Sequence, residues 1–245
     1  MKKIRTLNAD EIEVRVNQIK SNWCSVLLYK DARCDMNILD ETFGAMNWER
    51  EHKELKGNIY CGVSIYDKEK DDWVTKWDAG KESYTESEKG EASDSFKRAC
   101  VNIGIGRELY TSPSIFIMPR KDMTKNAGKS NEQKEYYESE NGKYTTKTRF
   151  HVAFIDYDDK RNIKDLIIKD NDGHIRFSQV SKELGKEMFK LQDELEKLML
   201  DAEKKDDNFD MEKVYEYYKS NGTNDFTLDQ YKDAIELMKK KLEAM

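Results

Sequence analysis

Lys97 and Arg98 are the residues of this chain whose types and placement best suit them to chemistry, and that chemistry is the gripping of an anion. They sit in the run Glu88-Lys-Gly-Glu-Ala-Ser-Asp-Ser-Phe-Lys-Arg-Ala-Cys-Val-Asn-Ile-Gly104, where Ala92, Phe96, Ala99, Cys100 and Ile103 recur at helical spacing. On a helix those apolar positions project within about sixty degrees of Phe96, and the basic pair falls outside that arc. The stripe is expected to pack while the pair faces a ligand. Gly104 stands where a left-handed cap would stop the helix, and Gly106 loosens the chain before Arg107 and Tyr110.

Other residues suggest enzyme chemistry but lack its full pattern. Gly128-Lys129-Ser130 matches the end of a phosphate-binding loop, yet Met123 occupies the position that needs glycine for backbone amides to wrap phosphates. Glu54-Leu55-Lys56 matches the end of a magnesium-dependent nuclease motif, but the partner carboxylate on a preceding strand is missing. Asp156, Asp158 and Asp159 are explained by turn chemistry. His52, His151 and His174 show no ligand spacing, and Gly104-Ile-Gly106 lacks the third glycine of a dinucleotide site. No catalytic, cofactor-binding or metal-ligating constellation emerges, and the chain does not read as an enzyme.

The elements upstream of the basic helix read as a three-stranded antiparallel meander. Ile59, Cys61, Val63 and Ile65 alternate with Tyr60, Gly62, Ser64 and Tyr66, the period of a strand with one buried face. After the polar turn Lys68 to Asp71, Trp73, Thr75 and Trp77 alternate with Val74 and Lys76. Trp48 to Lys53 forms the weaker edge strand. Trp73 and Trp77 share a face and are expected to pack under the helix. Tyr60 and Tyr66, on the opposite face of their strand, are open to base contacts as well as to a core role.

The stretch Tyr29 to Tyr110 resembles the annealing core of the Rad52 family of recombination mediators, in its phage and prophage branch. The matching pieces are Tyr29-Lys-Asp-Ala-Arg33, Leu39-Asp-Glu-Thr-Phe-Gly44, Trp48, Trp77-Asp-Ala-Gly80, Glu88-Lys-Gly90, Ser93-Asp-Ser-Phe-Lys-Arg-Ala99 and Gly104-Ile-Gly-Arg-Glu-Leu-Tyr110. The resemblance implies single-strand annealing without nucleotide hydrolysis or cofactor, in homologous recombination and DNA repair. It also implies assembly into a ring or filament, with single-stranded DNA in a basic groove. By position, Lys97 and Arg98 match the basic pair of that groove. Val101 and Ala45 stand where the eukaryotic members have a third basic residue and a tyrosine, and Arg33 matches the groove arginine with a one-residue offset. The groove is therefore expected to draw on Arg33, Arg50, Lys56 and Arg107 as well, with Tyr60 and Tyr66 as base contacts. A passive protector of single strands, or an ATP- or metal-dependent recombination enzyme, are the alternatives.

Composition is compatible with that reading. Over 245 residues the formal net charge is -6, which argues against indiscriminate polyanion binding. A local groove can still act, because exposed charges farther than roughly 10 Å away are screened at ordinary salt. No stretch approaches the roughly 20 apolar residues of a membrane span, and Met-Lys-Lys-Ile-Arg lacks the apolar run of a signal peptide. The expected place is the cytoplasm of a bacterial or phage-infected cell. Cys24, Cys34, Cys61 and Cys100 include no Cys-x-x-Cys pair and read as buried reduced thiols.

The expected fold class is α+β: an antiparallel β-meander packed against a long helix, followed by a β-hairpin and a helical C-terminal tail. Residues 1–119 form the annealing core, 120–147 a polar flexible loop, 148–179 a strand-and-hairpin extension, and 180–245 the tail. Asn8 and Glu11 resemble a capping box opening an N-terminal helix with Ile12, Val16 and Ile19 on one face. Phe150 to Tyr157 and Asp165 to Ser178 read as strands, with Asp172-Gly173 as a hairpin turn. Leu184, Met188, Leu191, Leu195 and Leu198 form a short seam expected to pack on the protein's own body. Helices over Met211 to Tyr218 and Leu228 to Leu242 follow. The tail is the expected point of contact for a single-strand-binding protein or exonuclease.

Overall fold

A computed structural model describes residues 3–80, 87–120, 134–206 and 208–244. The phosphate-loop candidate Gly128-Lys129-Ser130 lies outside them. The fold is α+β with antiparallel sheets and a helical C-terminal end, and the chain divides into two compact units.

The first unit comprises Met1–Glu13, Leu28–Ser112 and Asp159–Asn162. Its first helix, α1 (Ala32–Phe43), starts at Asp31, whose side chain accepts from the Arg33 N–H, and stops at Gly44 with φ 92°. Three strands follow, β3 (Trp48–Leu55), β4 (Asn58–Asp67) and β5 (Asp72–Ala79), paired in that order. The long helix α2 (Ser87–Ile103) covers one face of this sheet. Cys61, Val63 and Ile65 are buried beneath Phe96, Ala99 and Cys100, while Trp48 stacks on Phe96 at 6.3 Å between centroids. Gly80 makes the close approach possible: a Cβ there would lie 2.2 Å from the Glu91 carbonyl oxygen. The Glu91 carboxylate, itself buried, accepts from the Ile59 N–H at 2.7 Å.

The end of α2 is built as the glycines suggest. Gly104 (φ 120°) and Gly106 (φ 72°) take left-handed conformations that cost a residue with a side chain energy. Arg107 folds back, donating to the carbonyls of Val101 and Asn102 at 2.7 Å each. The buried Glu108 accepts from the Leu7 N–H at 2.8 Å and pairs with Arg161 at 3.0 Å.

The second unit comprises Val14–Leu27, Pro113–Asp158 and Ile163–Met245. The strands β1 (Ile12–Ile19), β2 (Cys24–Lys30), β6 (Ile115–Ile117), β9 (Phe150–Tyr157), β10 (Ile163–Asp170) and β11 (Ile175–Gln179) form a sheet in the order β11-β10-β9-β1-β2-β6. The sheet curls until its ends meet. Arg176 on β11 donates to the Met118 carbonyl just beyond β6, at 2.7 Å. The expected N-terminal helix is not formed: the Asn8 N–H donates to Glu11 at 2.8 Å, but only one 3-10 turn follows before β1. Ile12, Val14 and Val16 are β-branched at alternate positions, so the chain takes the strand that their stiffness favours.

Within the span expected to be a loop, residues 134–147 carry ordered structure. Strands β7 (Tyr137–Glu138) and β8 (Tyr144–Thr145) pair, and the buried Tyr136 donates to the Ile117 carbonyl at 3.1 Å. The tail consists of α3 (Lys182–Lys205), α4 (Met211–Tyr217) and α5 (Leu228–Ala244). Leu195, Met199 and Ala202 of α3 pack with Phe226, Tyr231, Ala234, Ile235 and Met238, so the seam closes on the protein's own body. The tail is also tied to the hairpin. Asp225 accepts from the Ile175 N–H at 2.9 Å, Gln230 from Lys169 at 2.9 Å, and a Cβ on Gly173 would overlap the Lys219 carbonyl.

Candidate nucleic-acid interface

The site lies in the first unit and starts from the rotation of α2. Phe96, Ala99 and Cys100 are at most 1% exposed, which fixes the helix about its axis and leaves Lys97 and Arg98 half-buried on two different flanks. Arg98 leans toward β5, its Nε 3.3 Å from Asp78 Oδ1. The other oxygen of Asp78 accepts from Asn102, which also donates to the Trp77 carbonyl, both at 3.1 Å. Lys97 leans toward α1 and, among the described residues, its ammonium has no ion-pair partner.

On the α1 flank the charges of Lys97 and Arg33 both act on Asp31. The Asp31 carboxyl lies below its usual range, first because Arg33 hydrogen-bonds to it and in smaller part because of the Lys97 charge. Arg33 is four-fifths exposed and bridges Asp31 at 2.9 Å. Two cations therefore flank one carboxylate at the start of α1, with their donors near solvent.

The remaining cations do other work. Arg50 lies over the Phe96 ring at 5.1 Å, on the helix side of the sheet. Lys56 is exposed at the β3–β4 turn with φ 54°. Arg107 is engaged in closing α2 through its two carbonyl contacts. The structure sets Lys97 and Arg33 both to act on Asp31, sets Arg98 against Asp78, and leaves Arg50, Lys56 and Arg107 in separate settings.

The aromatic residues require a correction. Tyr66 pairs with Trp73 and Gly62 with Trp77 across the β4–β5 hairpin, so both tryptophans lie on the face opposite α2, with Tyr60 and Tyr66. They do not pack under the helix: Trp73 is 39% and Trp77 38% exposed. Gly62 makes room for the Trp77 ring, which would lie 2.6 Å from a Cβ at that position. Lys53 sits 4.7 Å from the centre of the same ring. Tyr66 donates its hydroxyl to Asp71, which raises its pKa, and meets Trp73 edge-on at 5.5 Å. The parity of β5 relative to β4 depends on the register through the turn, which the alternation within one strand does not reveal.

The four cysteines are free and buried; burial pushes the Cys61 thiol up to about 11 and the Cys34 thiol up to about 12, keeping both neutral. Among the described residues no group of three or more His, Cys, Asp or Glu is arranged to hold a metal ion. His52 donates from Nε2 to the Ala92 carbonyl at 3.2 Å, and His174 pairs with Asp225 at 3.3 Å. No helix of the described residues is long and apolar enough to cross a membrane.

The comparisons with known proteins bear on the same region. No curated protein and no solved structure matches the chain. The sequence profile of the Rad52/22 family of double-strand break repair proteins matches residues 2–129, a span that holds Arg33, Lys97 and Arg98 and the rings of Tyr60, Tyr66, Trp73 and Trp77. That span is more than half of the 245 residues, and the chain belongs to the Rad52/22 family.

Proposed function

We propose that this protein binds single-stranded DNA along the exposed flanks of α2 and anneals complementary strands without nucleotide hydrolysis, in recombination and double-strand break repair. The observation that carries the reading is Lys97: a cation with no ion pair among the described residues, acting with Arg33 on Asp31, on a helix whose rotation is fixed by a buried stripe. Arg98 joins when a phosphate competes with Asp78 for its guanidinium. Contacts to phosphates relieve repulsion between strands and carry no sequence information, so any complementary pair is accepted. The free energy of pairing comes from the DNA.

Tyr60, Tyr66, Trp73 and Trp77 supply ring faces suited to stacking against bases. Glu49 and Glu51 stand on the same sheet face, so phosphates are assigned to α2. The motifs from Tyr29 to Tyr110 support a place in the phage and prophage branch of the family. On this reading subunits assemble into a ring or filament with a continuous groove, and the tail, where Phe189 is 73% exposed, recruits a single-strand-binding protein or exonuclease.

The test is annealing of complementary oligonucleotides by purified protein with a chelator present and nucleotide absent. Accelerated annealing is the expected result. Binding that slows annealing would mark a passive protector, and a requirement for ATP or metal would mark an enzyme.

A further inference from the structure

Lys30 and Asp35 form an ion pair inside the first unit, 5% and 0% exposed, directly beneath the basic turn of α2. The Lys30 ammonium also reaches the Lys97 carbonyl at 3.5 Å. Its stem lies over Gly106, where a Cβ would come within 2.5 Å of it. The pair thus links the end of β2, the first turn of α1, the Lys97 turn and the glycine turn after α2. One oxygen of Asp35, Oδ2, is buried and has no hydrogen-bond partner.

A buried carboxylate is held ionised by the charges and hydrogen bonds around it. The groups facing Asp35 are Lys30 from β2, Lys97 and Cys100 from α2, and Cys34 beside it on α1, with Asp31 one turn earlier. Burial pushes the Asp35 carboxyl up to about 6, against the opposing pull of Lys30 and then Lys97. A phosphate seated on Lys97 cancels part of that pull, and the anionic form of Asp35 loses support.

We infer that the Lys30–Asp35 pair positions the Lys97 turn and senses its charge, so that DNA engagement at Lys97 is accompanied by uptake of a proton from solvent onto Asp35 Oδ2. This rests on the DNA reading above. The sign follows from linkage: a group whose pKa is higher in the bound state takes up a proton on binding, so affinity rises as pH falls from neutral toward about 6. The limit is one proton per engaged subunit, about tenfold in affinity per pH unit.

The experiment is calorimetric titration of the full chain with oligothymidylate, at about pH 6.5, in two buffers of different ionisation enthalpy. The dependence of observed heat on buffer gives the protons taken up. Wild type is expected to take up protons, Asp35→Asn to bind with that uptake removed, and His52→Gln to retain it. Should Asp35→Asn fail to fold, Lys30→Met combined with Asp35→Leu removes both charges together, a replacement that buried pairs often tolerate, and is expected to show the same loss. Wild-type binding without proton uptake, or uptake unchanged when Asp35 is replaced, overturns the inference and leaves the DNA reading standing. Absence of any oligothymidylate binding overturns both.

Discussion

Arg176 and Lys97 are both cations set among carboxylates, in different units of the chain. Arg176 is 4% exposed and its guanidinium is saturated: Glu135 at 2.5 and 3.0 Å, Asp170 at 3.0 Å and the Met118 carbonyl at 2.7 Å. Arg120 adds a second cation, pairing with Asp172 at 2.7 Å and with Asp170 at 3.6 Å. Lys97 has a charge that reaches Asp31 and Asp35 and no ion pair among the described residues. A cation among carboxylates thus closes a sheet in one unit, and in the other keeps the donors that the proposed phosphate contact needs. Burial and the saturation of donors separate the two roles.

The largest expected effect comes from breaking the saturated side. Arg176→Met leaves Glu135 and Asp170 buried without their shared cation and should cost about 3–5 kcal/mol of stability, read by denaturant unfolding. DNA affinity of the folded fraction should not change; lost binding in a fully stable variant would reverse the assignment of roles. Gly80→Ala should cost on the order of 1–3 kcal/mol, because its Cβ would overlap the Glu91 carbonyl. Since that overlap displaces the start of α2, DNA affinity should fall with it, as a thermal melt and a binding curve on one preparation would report.

A smaller effect distinguishes the two flanks of α2. Lys97→Ala should flatten the dependence of log affinity on log salt by about 0.7 per engaged subunit. Arg98→Ala should do less, because Arg98 must first leave Asp78, a half-exposed contact of about 0–1 kcal/mol. Equal slopes for the two variants would show that the Asp78 contact has no influence. The smallest effect is acid sensitivity near Arg5. Glu11 is held below the usual carboxylate range, first by its hydrogen bond to Arg5. Its folded pKa lies below the unfolded one, so its contribution is present above about 4.3 and lost as pH falls. Glu11→Gln should make the acid limb of the stability curve shallower.

Much of the first unit was legible in the sequence because its strands are amphipathic and its helix carries one narrow stripe. Cys61, Val63 and Ile65, and Phe96, Ala99 and Cys100, are buried as their spacing requires. The side of the sheet taken by Trp73 and Trp77 was hidden, since it depends on a hairpin register and on Gly62 yielding space. Ile12, Val16 and Ile19 fit a helical face as well as a strand, and pairing in a sheet decided between them. The engagement of Arg107 and Arg98 depends on carbonyls and a carboxylate brought close only by the fold. The Lys30–Asp35 pair gave no signal, because neither residue stands apart from the polar residues around it until burial gives their charges weight.

The most direct test of the account is the double variant Lys97→Ala with Arg98→Ala, compared with wild type for salt-dependent binding and annealing of single strands. Neither side chain lies on the buried stripe and alanine favours helix, so the fold should persist. We expect a salt slope flatter by more than the roughly 0.7 of Lys97→Ala alone and by at most roughly 1.4 per engaged subunit, slower annealing, and the widest gap from wild type at low salt. An unchanged slope with wild-type annealing would contradict it and move the groove to Arg33, Arg50 and Lys56.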